Sequence, residues 1–336
     1  DRGGTMNLWR IAMNEESGQA AGPPEFVTAG VQASADLPSV SRDGRRIAFR
    51  SSIRAINPVM LPFDPDTARL GTAAVLDNSN SVRIPIDASP DGKLLSLSNA
   101  GEPQEDVLVS ALDGSNVRWL TNDAARERNP VWAPDGRSLA FSTNREPNWE
   151  IWRVGSDGGG LRRLMSAEDA LTGPIFSPSG DRLIATGNTM GVYMTDLAKQ
   201  PGEANVIVLP GTVLDGARFL PTSWSPDGRT LAGYLRASSG TQVGVAVYDV
   251  ASAALRKING DGTQHLEWLS GNRRVVYFVD QGTALVVTDT VSGRRVQSTA
   301  PLPLPATSRF ALSPDGRRIY YGGIRSESDI WVLEVK

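Results

Sequence analysis

The chain contains no cysteine. Disulfides, thiolate zinc sites and cysteine nucleophiles are thereby excluded. Histidine is almost as scarce, with His265 standing alone. A Ser–His–Asp relay would have to be built on that single residue, and a metal site of several imidazoles has no material. The Gly-x-Ser-x-Gly elbow of α/β-hydrolases is missing as well. No apolar run approaches the roughly 18 residues of a membrane-spanning helix, so direct membrane insertion is not expected. The first residues, Asp1-Arg2-Gly3-Gly4, lack the basic-then-apolar pattern of a signal peptide. Charge of one sign is lacking too. The 34 Lys and Arg are balanced by 37 Asp and Glu, a net charge of −3, so the basic face of a general nucleic-acid binder is not expected.

Glycine and proline are plentiful, and they recur in phase. The stretch Asn129–Leu164, NPVWAPDGRSLAFSTNREPNWEIWRVGSDGGGLRRL, reads as one unit. Val131 and Trp132 run into Ala133-Pro134-Asp135-Gly136. There Pro pre-sets φ, Asp tolerates the next position and Gly accepts the left-handed conformation that follows. Residues 138–142 predict a second strand, 149–154 a third and 161–164 a fourth. Four short strands in a meander of roughly 40–45 residues make the size of one propeller blade.

Six imperfect copies surround this unit. Asp43, Asp91, Asp135, Ser179, Asp227, Gly271 and Asp315 hold the same turn position, 44 or 48 residues apart. Three residues before each stands Val40, Ala88, Trp132, Phe176, Trp224, Trp268 or Leu312. A fixed period with an apolar residue in phase marks a repeat architecture, and strand periodicity selects a propeller over a helical array. The turn aspartates lie one per blade, so they are read as turn stabilisers and not as a metal-binding series.

The motif Trp224-Ser225-Pro226-Asp227-Gly228-Arg229, followed by an apolar strand and an Ile-Trp strand, resembles the TolB-type β-propeller repeat. The resemblance covers nearly the whole chain. It implies an all-β fold of four-stranded antiparallel blades, in a family that serves as partner-binding domains, sensor domains and appendages of enzymes. It also implies a periplasmic or extracellular bacterial setting. Segments of this form are similar to the C-terminal propellers of bacterial signalling proteins.

The expected architecture is one domain over residues 1–336 with seven blades. The N-terminal fourth strand, Glu25–Thr28, is expected to close the ring beside the C-terminal third strand, 329–333. Residues 7–13 then remain as a surplus third strand, which leaves a fragment of an eight-bladed propeller as the alternative.

Two groups of side chains are candidate sites. His265 sits six residues before its turn position, in phase with Asn129 and Arg309. Asp87 and Glu267 follow two places further along their repeats. These five, Asp87, Asn129, His265, Glu267 and Arg309, are expected at one mouth of the central channel, where converging carboxylates could hold a hard cation such as calcium. The polar lining of a water-filled channel explains the same residues without a ligand. On the loop face, Arg126, Arg128, Arg145, Asn148, Trp149, Arg236 and Arg325 are expected to supply binding anchors, Arg and Trp being the types that dominate interface hot spots. An ordinary solvated rim is the plain alternative. The tryptophans of the first strands and Trp9, Trp152 and Trp331 of the third are expected to pack between blades. Trp119 is expected to be part-buried and Trp149 the most exposed.

The expected function is a non-catalytic module that binds a protein or peptide partner or senses an extracytoplasmic ligand. No catalytic residue, resident metal or cofactor is assigned. The alternatives are a hydrolase or lyase using Asp87 and Glu267 in the channel, or the propeller part of a prolyl-oligopeptidase-type peptidase.

Overall fold

Most of the repeats turn on the same local chemistry. Ser41, Ser89, Ser225 and Ser313 donate their hydroxyls to the aspartate two residues on, at 2.5–2.7 Å. The same carboxylates accept the backbone N–H groups of Arg45, Lys93, Arg229 and Arg317 at 3.1–3.2 Å. Those bonds, the serine hydroxyl first, hold Asp43, Asp91, Asp227 and Asp315 below the usual carboxylate range. Where Ser179 replaces the aspartate, Asp181 supplies the carboxylate from two residues later. The next residue is left-handed throughout: Gly44, Gly92, Gly136, Gly180, Gly228 and Gly316 have φ of 66–74°, and Asn272 takes the place of glycine at 55°. The turn aspartates are structural.

The computed structural model describes residues 7–28, 34–99, 104–189, 191–199 and 206–334, and Asp1–Gly4 lie outside them. The chain divides into two compact units, residues 56–324 and residues 1–55 with 325–336.

The larger unit holds five antiparallel blades of four consecutive strands: A (84–119), B (127–165), C (171–208), D (217–259) and E (266–297). Blade D carries one extra short strand, Val213–Leu214, on the side of its first strand. The first strands of A, B, C, D and E neighbour one another in that order, and Ala306–Leu312 lies beside the first strand of A. Apolar side chains fill the spaces between blades. Ile151 of blade B, fully buried, packs with Leu171 and Leu183 of blade C, for example.

Among the described residues there are five blades, not seven, and the eight-bladed alternative is not found there either. The remaining strands form a composite sheet. Two strands run on where the repeat predicts a loop between second and third strands: Arg46–Asp64, 19 residues, and Arg318–Glu334, 17 residues. They neighbour each other in the sheet, so Glu25–Phe26 is not used for closure and pairs with Trp9–Arg10. Within the larger unit this joins the two ends of its chain. Phe63 donates its N–H to Arg317 O at 2.9 Å, and Val59, Leu61 and Phe63 share a core with Phe310, Ile319 and Tyr321. Gly322 and Gly323 make the approach possible, since a Cβ on them would lie 2.6 Å from Ile56 Cγ2 and 2.7 Å from Val59 Cγ2.

The smaller unit holds the hairpin of Trp9–Arg10 with Glu25–Phe26 and the pairing of Ser34–Val40 with the start of the long strand from Arg46. Trp9 and Trp331 are half exposed, contrary to the expectation of inter-blade packing, because this unit contains no complete blade. Trp119 is also exposed, whereas Trp132, Trp224 and Trp268 are buried as expected.

Candidate functional site

The first strand of nearly every repeat carries a β-bulge near the channel mouth, with register breaks at Pro85/Asp87, Arg128/Val131, Thr172/Ile175, Pro221/Ser223 and Ala306/Phe310. A bulge leaves one residue unpaired and re-aims its neighbours. Asn129 and Gly173, at such positions, are left-handed. Arg309 exploits the glycine, for a Cβ at Gly173 would stand 3.1 Å from its Nη2.

Asp87, His265, Glu267 and Arg309 line one cavity of about 280 Å3 at the inner ends of the blades. Asn129 is not among its lining residues. Asp87 accepts the N–H groups of Trp132 and Ala88, both at 2.8 Å. Burial still pushes its pKa up to about 7, with the Glu267 carboxylate adding to the rise. Glu267 keeps 27% of its side chain exposed to the cavity, yet the surrounding protein pushes it up to about 8 against the pull of Arg309. Its Oε1 stands 3.0 Å from His265 Nε2 without hydrogen-bond alignment. Burial first, and then the Arg309 charge, hold His265 well below its usual pKa, so the imidazole is neutral and sits edge-on to Phe310 at 5.0 Å.

The cavity is therefore a place of fixed positive charge beside acids that hold their protons near neutrality. Arg309 makes no ion pair or hydrogen bond through its side chain among the described residues. Ser223 Oγ and the indole nitrogens of Trp132 and Trp224, all in lining residues, are buried without a hydrogen-bond partner. The phase of these two tryptophans at the strand ends accounts for their packing between blades and gives no sign of the unpartnered indole nitrogens. Among the described residues no group of three His, Asp or Glu side chains is arranged to hold a metal ion, and Arg309 shares the space with the two carboxylates.

The loop-face residues fall into separate groups. Arg128 pairs with the buried Glu105 and lies over the Trp149 ring at 5.1 Å, which leaves Trp149 only partly exposed. Arg145 bridges Asp123 and the fully buried Glu127, each at 2.6 Å. Burial raises Glu127 to about 7 in spite of that partner. Asn148 reaches Glu168 O at 3.4 Å, and Arg126 is exposed beside them. Arg236 lies on blade D opposite Arg218, and Arg325 belongs to the smaller unit, near Glu327. The structure thus brings together Arg126, Arg128, Arg145, Asn148 and Trp149 around blade B. Glu105, the acid that fixes Arg128, was not foreseen because it stands outside any strand of the repeat.

A family model described as the TolB beta propeller domain matches residues 24–216. No curated protein matches the chain. Among solved structures, a putative TolB from Agrobacterium tumefaciens superposes with a TM-score of 0.60 at 19% identity, covering 80% of this chain and 99% of that one. TolB from Acinetobacter baumannii gives 0.58 at 17% identity, covering 82% of this chain, which spans 66% of that structure. An oligogalacturonate lyase in complex with manganese gives 0.54 at 12% identity, covering 87% and 96%. At these identities the likeness is one of fold.

Proposed function

The chain belongs to the TolB β-propeller family, and from that premise we propose that it is a non-catalytic module binding a protein or peptide partner on the extracytoplasmic side of a bacterial cell. The observation that carries this reading is the channel-mouth cavity, whose lining includes Arg309, a guanidinium with no ion pair or side-chain hydrogen bond among the described residues. An unsatisfied buried donor costs about 1–3 kcal/mol, which a segment offering carbonyl or carboxylate oxygens would recover. Loops held on a rigid scaffold are where binding concentrates, and Arg126 and Trp149 supply an adjacent pair of anchors. The fractionation of cells producing the full-length protein tests the location.

The binding test uses the immobilised chain to capture its partner from an extract of envelope proteins. Arg309→Met, and Arg126→Ala combined with Trp149→Ala, should each lower capture at least tenfold. Arg128 is a poor choice for that experiment because its loss disturbs the buried Glu105. Capture undiminished in both variants would sink the reading.

The raised Asp87 and Glu267 favour a second reading, acid–base chemistry in the channel. Turnover of a uronate oligomer or a peptide that disappears in Glu267→Gln would establish it.

A further inference from the structure

Blade B sets two arginines face to face. Arg153 on its third strand is the register partner of Arg162 on its fourth. Like charges directly opposite on neighbouring strands destabilise a sheet. Among the described residues neither guanidinium has a carboxylate within ion-pair distance. Arg153 donates to Ser138 Oγ at 2.9 Å, and Arg162 makes no side-chain hydrogen bond among the described residues. Other arginines nearby are provided for. Arg163 pairs with Glu150 at 3.2 Å. A second cross-strand pair, Arg218 with Arg236, is relieved because Arg218 donates to the carbonyls of Asn188 and Gly187 at 2.8 Å.

Arg153 and Arg162 both line a groove of about 520 Å3 between blades B and C. That volume lies in the range of small-molecule sites. Its walls include Leu164, Phe176 and Leu197, and Lys199 adds a third cation. The two acids present are already engaged. Asp135 accepts the Arg137 N–H at 2.9 Å, while Asp196 accepts the Ala198 N–H at 3.0 Å and stands 3.9 Å from Lys199. A second depression, toward the turn at Gly155–Gly160, shares the same two arginines.

We propose that this groove binds a small organic anion, an apolar body lying on Leu164, Phe176 and Leu197 with a phosphate-monoester head between Arg153 and Arg162. A doubly charged head neutralises both guanidiniums, and its oxygens match their forked donors, which a single carboxylate does only in part. The groove adjoins the channel-mouth cavity and shares Pro134 and Phe176 with it, but Arg153 and Arg162 line the groove and not that cavity, and the proposal does not depend on the partner-binding reading.

Calorimetric titration of the full chain with phenyl phosphate, benzoate and benzyl alcohol at constant ionic strength tests it. Phenyl phosphate should bind saturably, benzoate at least threefold more weakly, and benzyl alcohol not measurably. Arg162→Glu should weaken phenyl phosphate at least tenfold. Because it replaces a like-charged pair by an opposite one at an exposed position, it should also raise the Tm of the ligand-free protein. Arg294→Glu, the same charge change on blade E, should do neither. Binding that survives Arg162→Glu, equal binding of benzyl alcohol, or a ligand-free Tm of Arg162→Glu at or below that of the parent overturns the proposal.

Discussion

Glu267 and Asp87 have folded pKa values of about 8 and about 7, well above the roughly 4 of an unfolded carboxyl. Between those limits the folded state keeps protons that the unfolded state has released. Stability therefore falls as pH rises from about 5 to about 8. Glu127, raised to about 7, acts in the same direction. His265 opposes them, but only below the roughly 6.5 of its unfolded form. Glu267→Gln should flatten the profile, raising Tm more at about pH 8 than at about pH 5. An equal change at both pH values would show that Glu267 is not held protonated. At this scale the sequence was partly legible. Asp87, His265, Glu267 and Arg309 could be gathered because each sits in phase with the turn. Glu105, which anchors Arg128, has no phase to betray it.

At the scale of the element, turns were readable because their chemistry is local. Gly228, at φ 71°, has nothing nearer to a built Cβ than Pro178 Cδ at 3.9 Å. Gly228→Ala should therefore cost only the left-handed penalty of about 1–2 kcal/mol, seen as a lowered denaturation midpoint with an unchanged slope. A loss much above that range would mean that the turn also serves packing. Bulges were not readable in the same way. The phase of Pro85, Asn129, Gly173 and Pro221 points to the channel mouth, but the bulge beside them shows only in the register with the second strand. The opposition of Arg153 and Arg162 was hidden for the same reason, since cross-strand partners depend on where a hairpin bulges.

At the scale of the molecule, the number of blades depends on which distant strands meet, and no local signal decides that. Both the Arg46–Asp64 and Arg318–Glu334 stretches contain repeat-like second and third strands, and their continuity through the expected loops redirects the pairing. Gly323 is where the choice can be tested. Gly323→Val would place a Cβ 2.7 Å from Val59 Cγ2 and 2.9 Å from Leu304 Cδ1. Overpacking there should cost about 1–3 kcal/mol, read as a fall in Tm. An unchanged Tm would remove this glycine from the closure. That closure also imposes an order on biosynthesis. Residues 56–64 leave the ribosome before all five blades, and the strand they pair with, around 317–323, follows after them. Throughout synthesis of the blades the nascent chain carries an apolar edge with no partner, the condition in which growing polypeptides aggregate or engage a chaperone.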